Sequence, residues 1–263
     1  MELFGKKKPV IAMIHVDALP GAPKYGGSVK AVIEKAVKEG GSYIESGIEV
    51  LMIENMHDVP YLNRTAGPET TSLMSIILYE LKKKFNLPLG IQILAGANKE
   101  AIAAAHSAGA DFIRGEGFVF AHVADEGTFN SDAGEIMRYR RQIGAENLLV
   151  FTDIKKKHSS HSITADTDIV ETAKAAEFFL SDGVIITGSA TGKEPLASEI
   201  EEVKKSVSIP VIAGSGITAG NIQKYYRLCD AFIIGSYFKI SGDWKNTVDA
   251  GRVKEFMGKI KSL

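Results

Sequence analysis

Short runs of β-branched and aromatic residues recur eight times along the chain: Pro9–His15, Val50–Asn55, Leu89–Leu94, Asp111–Gly117, Leu148–Lys155, Gly183–Gly188, Pro210–Gly214 and Asp230–Gly235. Each is almost continuously apolar, the pattern of a strand buried on both faces. Between them lie amphipathic, alanine- and charge-rich stretches that predict helices over Ser28–Ser46, Glu69–Phe85, Lys99–Ala108, Ala133–Ile143, Ile169–Leu180, Glu199–Val207, Ala219–Arg227 and Asp249–Ile260. Asp132 with Glu135, Asp168 with Glu171 and Ser198 with Glu201 have the spacing of capping boxes. Strand and helix alternate throughout, which implies parallel pairing. Eight such units in 263 residues predict a single (β/α)8 TIM barrel over 1–263 rather than a doubly wound sheet.

The connections point the same way. Links from helix to strand are short, as in Asn86-Leu87-Pro88 and Gly109-Ala110. Links from strand to helix are often long, as in Val16–Gly27, Met56–Pro68, Phe118–Ser131 and Ser236–Val248. Length is concentrated at the C-terminal ends of the strands, where barrels of this class keep their chemistry. Site residues are therefore expected at strand ends and in the loops behind them.

The seventh and eighth strands run into Gly214-Ser215-Gly216 and Gly235-Ser236. Glycines let the backbone approach a ligand and turn N–H groups towards it. The helix expected from Ala219 would aim its positive end at the same point. This is the phosphate-binding site formed after strands 7 and 8 of a barrel, and strand 6 adds Thr187, Gly188 and Ser189. A phosphorylated small molecule is the expected partner.

The other strand ends carry charge. Asp153 and Lys155 lie two apart, hence on one face of strand 5, and burial beneath helices would cost them several kcal/mol, so both are expected in the mouth. There Asp153 suits a base or metal ligand, and Lys155 an acid, an oxyanion partner or an imine-forming amine. Arg114 and Glu116 repeat the arrangement on strand 4. Strand 2 brings Glu54 and Asn55, and strand 1 ends in His15, an acid–base candidate. No cofactor is required by these residues; the metal that Asp153, Glu54 and Glu116 would suit is Mg2+. His158 and His161 have no third ligand at fixed spacing, which argues against zinc. Gly188–Glu194 lacks the spacing of a nucleotide P-loop, and Gly214–Gly220 misses the dinucleotide fingerprint by one residue.

A net charge of −1 provides no global field for nucleic acid or an anionic membrane. The single cysteine, Cys229, excludes an internal disulfide and fits a reducing compartment, with the cytoplasm as the expected location. Neither a secretory signal nor a membrane-length apolar run is visible. A homo-oligomer is compatible with the pattern, since such barrels often pair.

Seven motifs in order carry a more specific likeness: His15-Val-Asp-Ala-Leu-Pro-Gly-Ala-Pro23, Glu54-Asn-Met-His-Asp-Val-Pro-Tyr61, Asp111-Phe-Ile-Arg114, Asp153-Ile-Lys-Lys-Lys-His158, Thr187-Gly-Ser-Ala-Thr-Gly192, Gly214-Ser-Gly-Ile-Thr218 and Gly235-Ser-Tyr-Phe-Lys239. From about residue 8 onwards the chain resembles the BtpA/SgcQ family. It departs where relatives usually continue Val-Asn after Arg114 and this chain has Gly115-Glu116. The family is named for a photosystem I biogenesis factor, and the resemblance implies a ribulose-phosphate-binding type of barrel. Residues and resemblance together suggest an enzyme moving protons on a small phosphorylated metabolite, as an isomerase, epimerase or lyase. The alternatives are a non-catalytic assembly or regulatory factor and a metal-assisted hydrolase.

Overall fold

A computed structural model describes residues 2–188 and 192–263. Eight parallel strands close into a barrel: β1 Val10–His15, β2 Val50–Glu54, β3 Leu89–Gln92, β4 Phe112–Gly115, β5 Leu149–Ile154, β6 Gly183–Thr187, β7 Val211–Gly214 and β8 Ala231–Ile234. Neighbours in sequence are neighbours in the sheet, and β8 pairs with β1 to complete the ring. The helices are α1 Val29–Glu45, α2 Pro68–Phe85, α3 Asn98–Ala108, α4 Ala133–Gln142, α5 Ile169–Phe178, α6 Ala197–Ser206, α7 Ile222–Tyr225 and α8 Ala250–Lys261.

The two-residue alternation of each strand sorts the apolar side chains into two cores. Ala12, Ile14, Leu51, Ile53, Val150 and Ile186 point outwards and pack beneath the helices. Ile11, Met13, Val50, Met52, Phe112, Phe151, Ile185, Ile212 and Ile233 fill the barrel itself. A barrel of eight strands is just wide enough for such a filling. Its N-terminal end is closed by a hairpin, Glu2–Leu3 against Lys6–Lys7, which lays Phe4 on Phe112 with ring centroids 5.2 Å apart. Only the opposite end is left for a mouth.

At that closed end one device recurs. Asp111, Asp182 and Asp230 each precede a strand and accept the N–H of the first or second residue in a neighbouring strand, from Leu89 at 2.9 Å, Val150 at 2.8 Å and Val211 at 2.9 Å. Each also pairs with a cation from a helix: Lys82, Arg140 and Lys204. These partly exposed pairs fix where a helix meets the sheet, far from the mouth.

The helix starts follow the sequence unevenly. Asp168 caps α5 by accepting the Glu171 N–H at 2.7 Å. Asp132 stands at the start of α4, but its carboxylate is turned to Arg64 and Asn98 instead. Ser198 lies inside α6, whose cap position is Leu196. The expected helix from Ala219 shrinks to the single turn Ile222–Tyr225, because Asn221 Oδ1 takes the Thr218 N–H and ties the preceding residues into a turn. Over the mouth lies a small antiparallel sheet of His122–Ala124, Gly127–Phe129 and Ser159–Ser160.

Candidate active site

The barrel filling ends upwards in a polar layer. Continuing the alternation from Met13, Met52, Gly90, Phe112, Phe151 and Ile185 brings His15, Glu54, Gln92, Arg114, Asp153 and Thr187 to the top inward positions. All six are at least nine-tenths buried. Above them opens a cavity of about 210 Å3, lined at one side by His15, Glu54, Arg114 and Lys157. Its other side is the backbone-rich rim of Ser215–Thr218 and Gly235–Tyr237, with Arg252.

Arg114 and Asp153 form a forked pair: Nε donates to Oδ2 at 3.0 Å and Nη2 to Oδ1 at 3.1 Å. The Asp153 side chain is 1% exposed, and it faces a small void beside His122 and His161 rather than the main cavity. Burial raises its carboxyl above the usual range, and Arg114 opposes that rise. With both oxygens occupied, Asp153 holds Arg114 in place.

Glu54 differs. It lines the cavity, and among the described residues no side chain bonds to its carboxylate. Burial raises its affinity for a proton, offset in part by the charges of Arg114 and Lys157. Glu116 is turned away from the cavity, to Lys156 Nζ at 3.2 Å. Burial favours its protonated form, but Lys156 and Arg114 outweigh this and leave its carboxyl below the usual range.

His15 donates from Nδ1 to the Trp244 carbonyl at 2.9 Å, which leaves Nε2 as a bare acceptor on the cavity side. Burial, and then the nearby charge of Lys239, hold the imidazole well below its ordinary pKa and hence neutral. Lys239 is itself fully buried and tied to Glu39 at 2.6 Å.

The expected partnership of Asp153 with Lys155 does not form. Strand β5 ends at Ile154, and Lys155 takes a left-handed φ of 47°, so the alternation breaks one residue too early. Lys155 Nζ instead donates to the Thr164 carbonyl at 3.1 Å. The lysine that reaches the cavity is Lys157. Asn55 also leaves the mouth: its amide bonds to Asp58 at 2.9 Å and accepts the Leu94 N–H at 2.7 Å.

The phosphate-site expectations divide. Ser215, Gly216, Gly235 and Ser236 line the cavity. Gly214 does not; a Cβ there would lie 3.2 Å from Ile185 and 3.4 Å from Thr187, facing the barrel filling. Gly188 and Thr187 border a neighbouring cleft with Lys155 and Glu194. A Cβ on Gly188 would come within 2.1 Å of the Lys193 carbonyl, and one on Gly216 within 2.2 Å of the same peptide. Both glycines admit the crossing of the β6–α6 loop, which Glu194 pins through Asn221 and Lys224. Ser189 lies outside the described residues.

Sequence reasoning passed over four residues. Gln92 follows from the same alternation as its neighbours; its Oε1 is buried without a partner among the described residues. Lys157 lies beyond the strand end. Trp244 covers His57 and His15, with ring centroids 4.9 and 6.3 Å away. Arg252, from the first turn of α8, donates from Nε to the Tyr237 carbonyl at 2.6 Å and stacks on the Tyr237 ring at 4.4 Å. No strand-end rule would find it.

Among the described residues no group of three or more His, Cys, Asp or Glu side chains is placed to hold a metal ion. The carboxylates considered for Mg2+ do not converge: Asp153 faces Arg114, Glu116 faces Lys156, and Glu54 stands apart from both pairs. No helix among the described residues is long and apolar enough to cross a membrane.

The fold agrees with what the chain is similar to. A Caenorhabditis elegans protein, uncharacterised and described as mitochondrial, is 46% identical over 268 residues, covering 100% of this chain and 96% of its own. The photosystem I biogenesis protein BtpA of Synechocystis sp. is 30% identical over 262 residues, covering 97% of this chain and 89% of its own. Among solved structures, the Thermoplasma acidophilum (S)-3-O-geranylgeranylglyceryl phosphate synthase, in complex with sn-glycerol-1-phosphate, superposes with a TM-score of 0.61 at 14% identity over 100% of both chains. That likeness is one of fold, and the fold is the TIM barrel. The BtpA family model matches residues 6–262, and the chain belongs to the BtpA family.

Proposed function

We propose that the chain is an enzyme that moves protons on a small phosphorylated metabolite, most simply a sugar phosphate, as an isomerase, epimerase or lyase. One observation carries the reading: a single cavity joins a backbone-rich rim with a guanidinium to an acid–base cluster. The phosphate would rest on Ser215, Gly216, Gly235 and Ser236, with Arg252 supplying the countercharge. Charge-assisted bonds of this kind contribute about 1.5–3 kcal/mol each. The volume of about 210 Å3 lies below the roughly 300–1,000 Å3 of drug-sized ligand sites, which suits a short carbon skeleton. The Thermoplasma synthase with bound sn-glycerol-1-phosphate supports phosphate binding on this fold.

In this reading Glu54 is the base. It has no cation of its own and keeps a raised pKa, as a carboxylate that takes a proton near neutral pH requires. Arg114, aimed by Asp153, stabilises the developing enolate oxygen. Neutral His15 accepts a hydrogen bond from a substrate hydroxyl. Melting curves with sugar phosphates beside their unphosphorylated counterparts test the anchor. Binding at 100 times Kd adds ~2.7 kcal/mol of stability. A shift that needs the phosphate and disappears in Arg252→Ala supports the reading; equal shifts with and without phosphate would overturn it.

The name of the Synechocystis relative gives slight support to a second reading, a non-catalytic assembly or regulatory factor. It predicts that Glu54→Gln still complements a deletion strain.

A further inference from the structure

Three consecutive lysines follow β5, and the fold sends each to a different place. Lys155 is tied to the Thr164 carbonyl at 3.1 Å. Lys156 pairs with Glu116 at 3.2 Å and lies 5.0 Å above the Phe129 ring. Lys157 alone of the three lines the main cavity. Among the described residues its ammonium nitrogen has neither a hydrogen bond nor an ion pair, although Glu54, Asp153 and Glu116 all act on it electrostatically. Its backbone is well held: Ser159 Oγ donates to the Lys157 carbonyl at 3.2 Å, and Ser159 and Ser160 are paired into the small sheet over the mouth.

An amine in contact with a carboxylate stays an ammonium and is no nucleophile. An amine that faces a cavity, half-buried and beside a guanidinium, is the opposite case. We propose that Lys157 is a covalent nucleophile that condenses with the carbonyl carbon of a phosphorylated aldehyde or ketone anchored at Ser215–Thr218 and Gly235–Tyr237. The proposal rests on the phosphate reading above and narrows the substrate to carbonyl compounds.

The step balances within the site. The Lys157 nitrogen lone pair attacks the carbonyl carbon, and the C=O π electrons pass to oxygen, which takes the proton shed by the nitrogen. The carbinolamine then loses water: the nitrogen lone pair forms C=N, and the hydroxyl leaves with a proton from the protonated carboxyl of Glu54. Glu54, now a carboxylate, removes a proton from the carbon next to the iminium and yields an enamine, which takes the place of the enolate; in this route Arg114 faces the substrate oxygen only until that oxygen leaves as water. No oxidant, reductant or metal enters.

Two physical features support this use of the pair. Burial, and then repulsion by Arg114, lower the proton affinity of Lys157 below that of an ordinary lysine. Burial raises that of Glu54. The two groups are thus displaced towards neutral amine and protonated acid, the forms that the condensation uses.

The test incubates the full chain with dihydroxyacetone phosphate, with ribulose 5-phosphate and with their unphosphorylated counterparts. Borohydride is then added, followed by peptide mapping by mass spectrometry, and melting temperatures are measured in parallel. The expected result is one reduced adduct per chain, on Lys157, that needs the phosphate and survives in Lys155→Met. Lys157→Arg keeps the charge but lacks the nucleophile; it should lose the adduct while retaining the phosphate-dependent melting shift. It should also lose hydrogen–deuterium exchange at the carbon beside the carbonyl. If Lys157→Arg keeps that exchange, Lys157 acts through its charge alone and the imine is refuted. Stabilisation by the phosphates with no adduct, or with adducts on Lys155 or scattered lysines, also overturns the covalent role and leaves the phosphate site standing. If no phosphate stabilises the chain, the phosphate site falls and the proposal with it.

Discussion

Asp153→Asn is the substitution that separates support from chemistry in this mouth. The change keeps shape but removes the charge opposite Arg114 and turns an amide N–H2 towards one of two guanidinium donors now 3.0 and 3.1 Å from carboxylate oxygens. Both side chains are nearly inaccessible, at 7% for Arg114 and 1% for Asp153. Removing one partner of a buried pair costs about 3–5 kcal/mol, because the remaining charge loses its compensation. For a chain of this size each kcal/mol moves Tm by about 2–4 °C, so a fall of roughly 6–20 °C is expected. The lower end is favoured, since Glu54 also attracts Arg114 and provides a second counter-ion. That rescue draws the guanidinium onto Glu54, so turnover should fall sharply while phosphate affinity hardly changes. Scanning calorimetry and a phosphate titration of the same sample check both halves. The double variant Asp153→Leu with Arg114→Met should recover much of the lost stability without recovering turnover, since apolar replacement of a buried pair is often neutral or stabilising. An Asp153→Asn protein that melts within about 2 °C of the parent would refute the reasoning, because the pair would then not be desolvated as its geometry requires.

Arg252→Ala should weaken inorganic phosphate binding by about 10- to 100-fold by calorimetry, the equivalent of one lost charge-assisted bond, while Lys155→Met leaves it unchanged. His122, stacked on Phe129 with ring centroids 5.1 Å apart, is held down to about 4 by burial and by Lys156. Its unfolded-state value near 6.5 is higher, so the unfolded chain binds more protons between about pH 6.5 and 4, and stability falls as pH drops through that window; urea titrations should show His122→Phe losing part of this acid sensitivity. Gly90→Ala places a methyl 2.2 Å from the Phe112 ring inside the barrel filling, where overpacking costs about 1–3 kcal/mol, readable as a lower Tm with an unchanged mouth.

The barrel was legible because its strands are long enough to show their pattern. Every expected strand is present, with differences of one to three residues at the ends. The elements that escaped notice are those too short for any period. Glu2–Leu3 and Lys6–Lys7 have two residues each, and the sheet over the mouth is made of two- and three-residue pieces such as Ser159–Ser160. Such pieces pair because the barrel brings them together, not because of local preference. The helix after β7 failed for the opposite reason. Its sequence is helix-compatible from Ala219, but Asn221 Oδ1 captures the Thr218 N–H and makes a turn there instead.

The same distinction decides the candidate site, and strand adjacency explains which carboxylate is left uncommitted. Alternation located His15, Glu54, Arg114 and Asp153 and gave no ranking between the two acids. Arg114 is on β4 and Asp153 on β5, which pair directly, with Arg114 opposite Phe151. Two residues further up, Asp153 lies within reach of the guanidinium fork. Glu54 is on β2, and β3 with Gln92 stands between it and β4. Arg114 therefore takes the acid next door and leaves the farther one uncommitted, a choice that the order of strands around a barrel makes before any ligand arrives. Past the strand ends this logic stops. Lys155, Lys156 and Lys157 are chemically equivalent in the sequence, and it is the left-handed residues on either side, Lys155 and His158, with the pairing of Ser159, that set the path on which Lys157 faces the cavity. A one-residue deletion between Ile154 and Ser159 should thus disrupt imine trapping at Lys157 even though lysines remain in the loop. If trapping persisted undiminished, the loop would not be the element that selects the nucleophile.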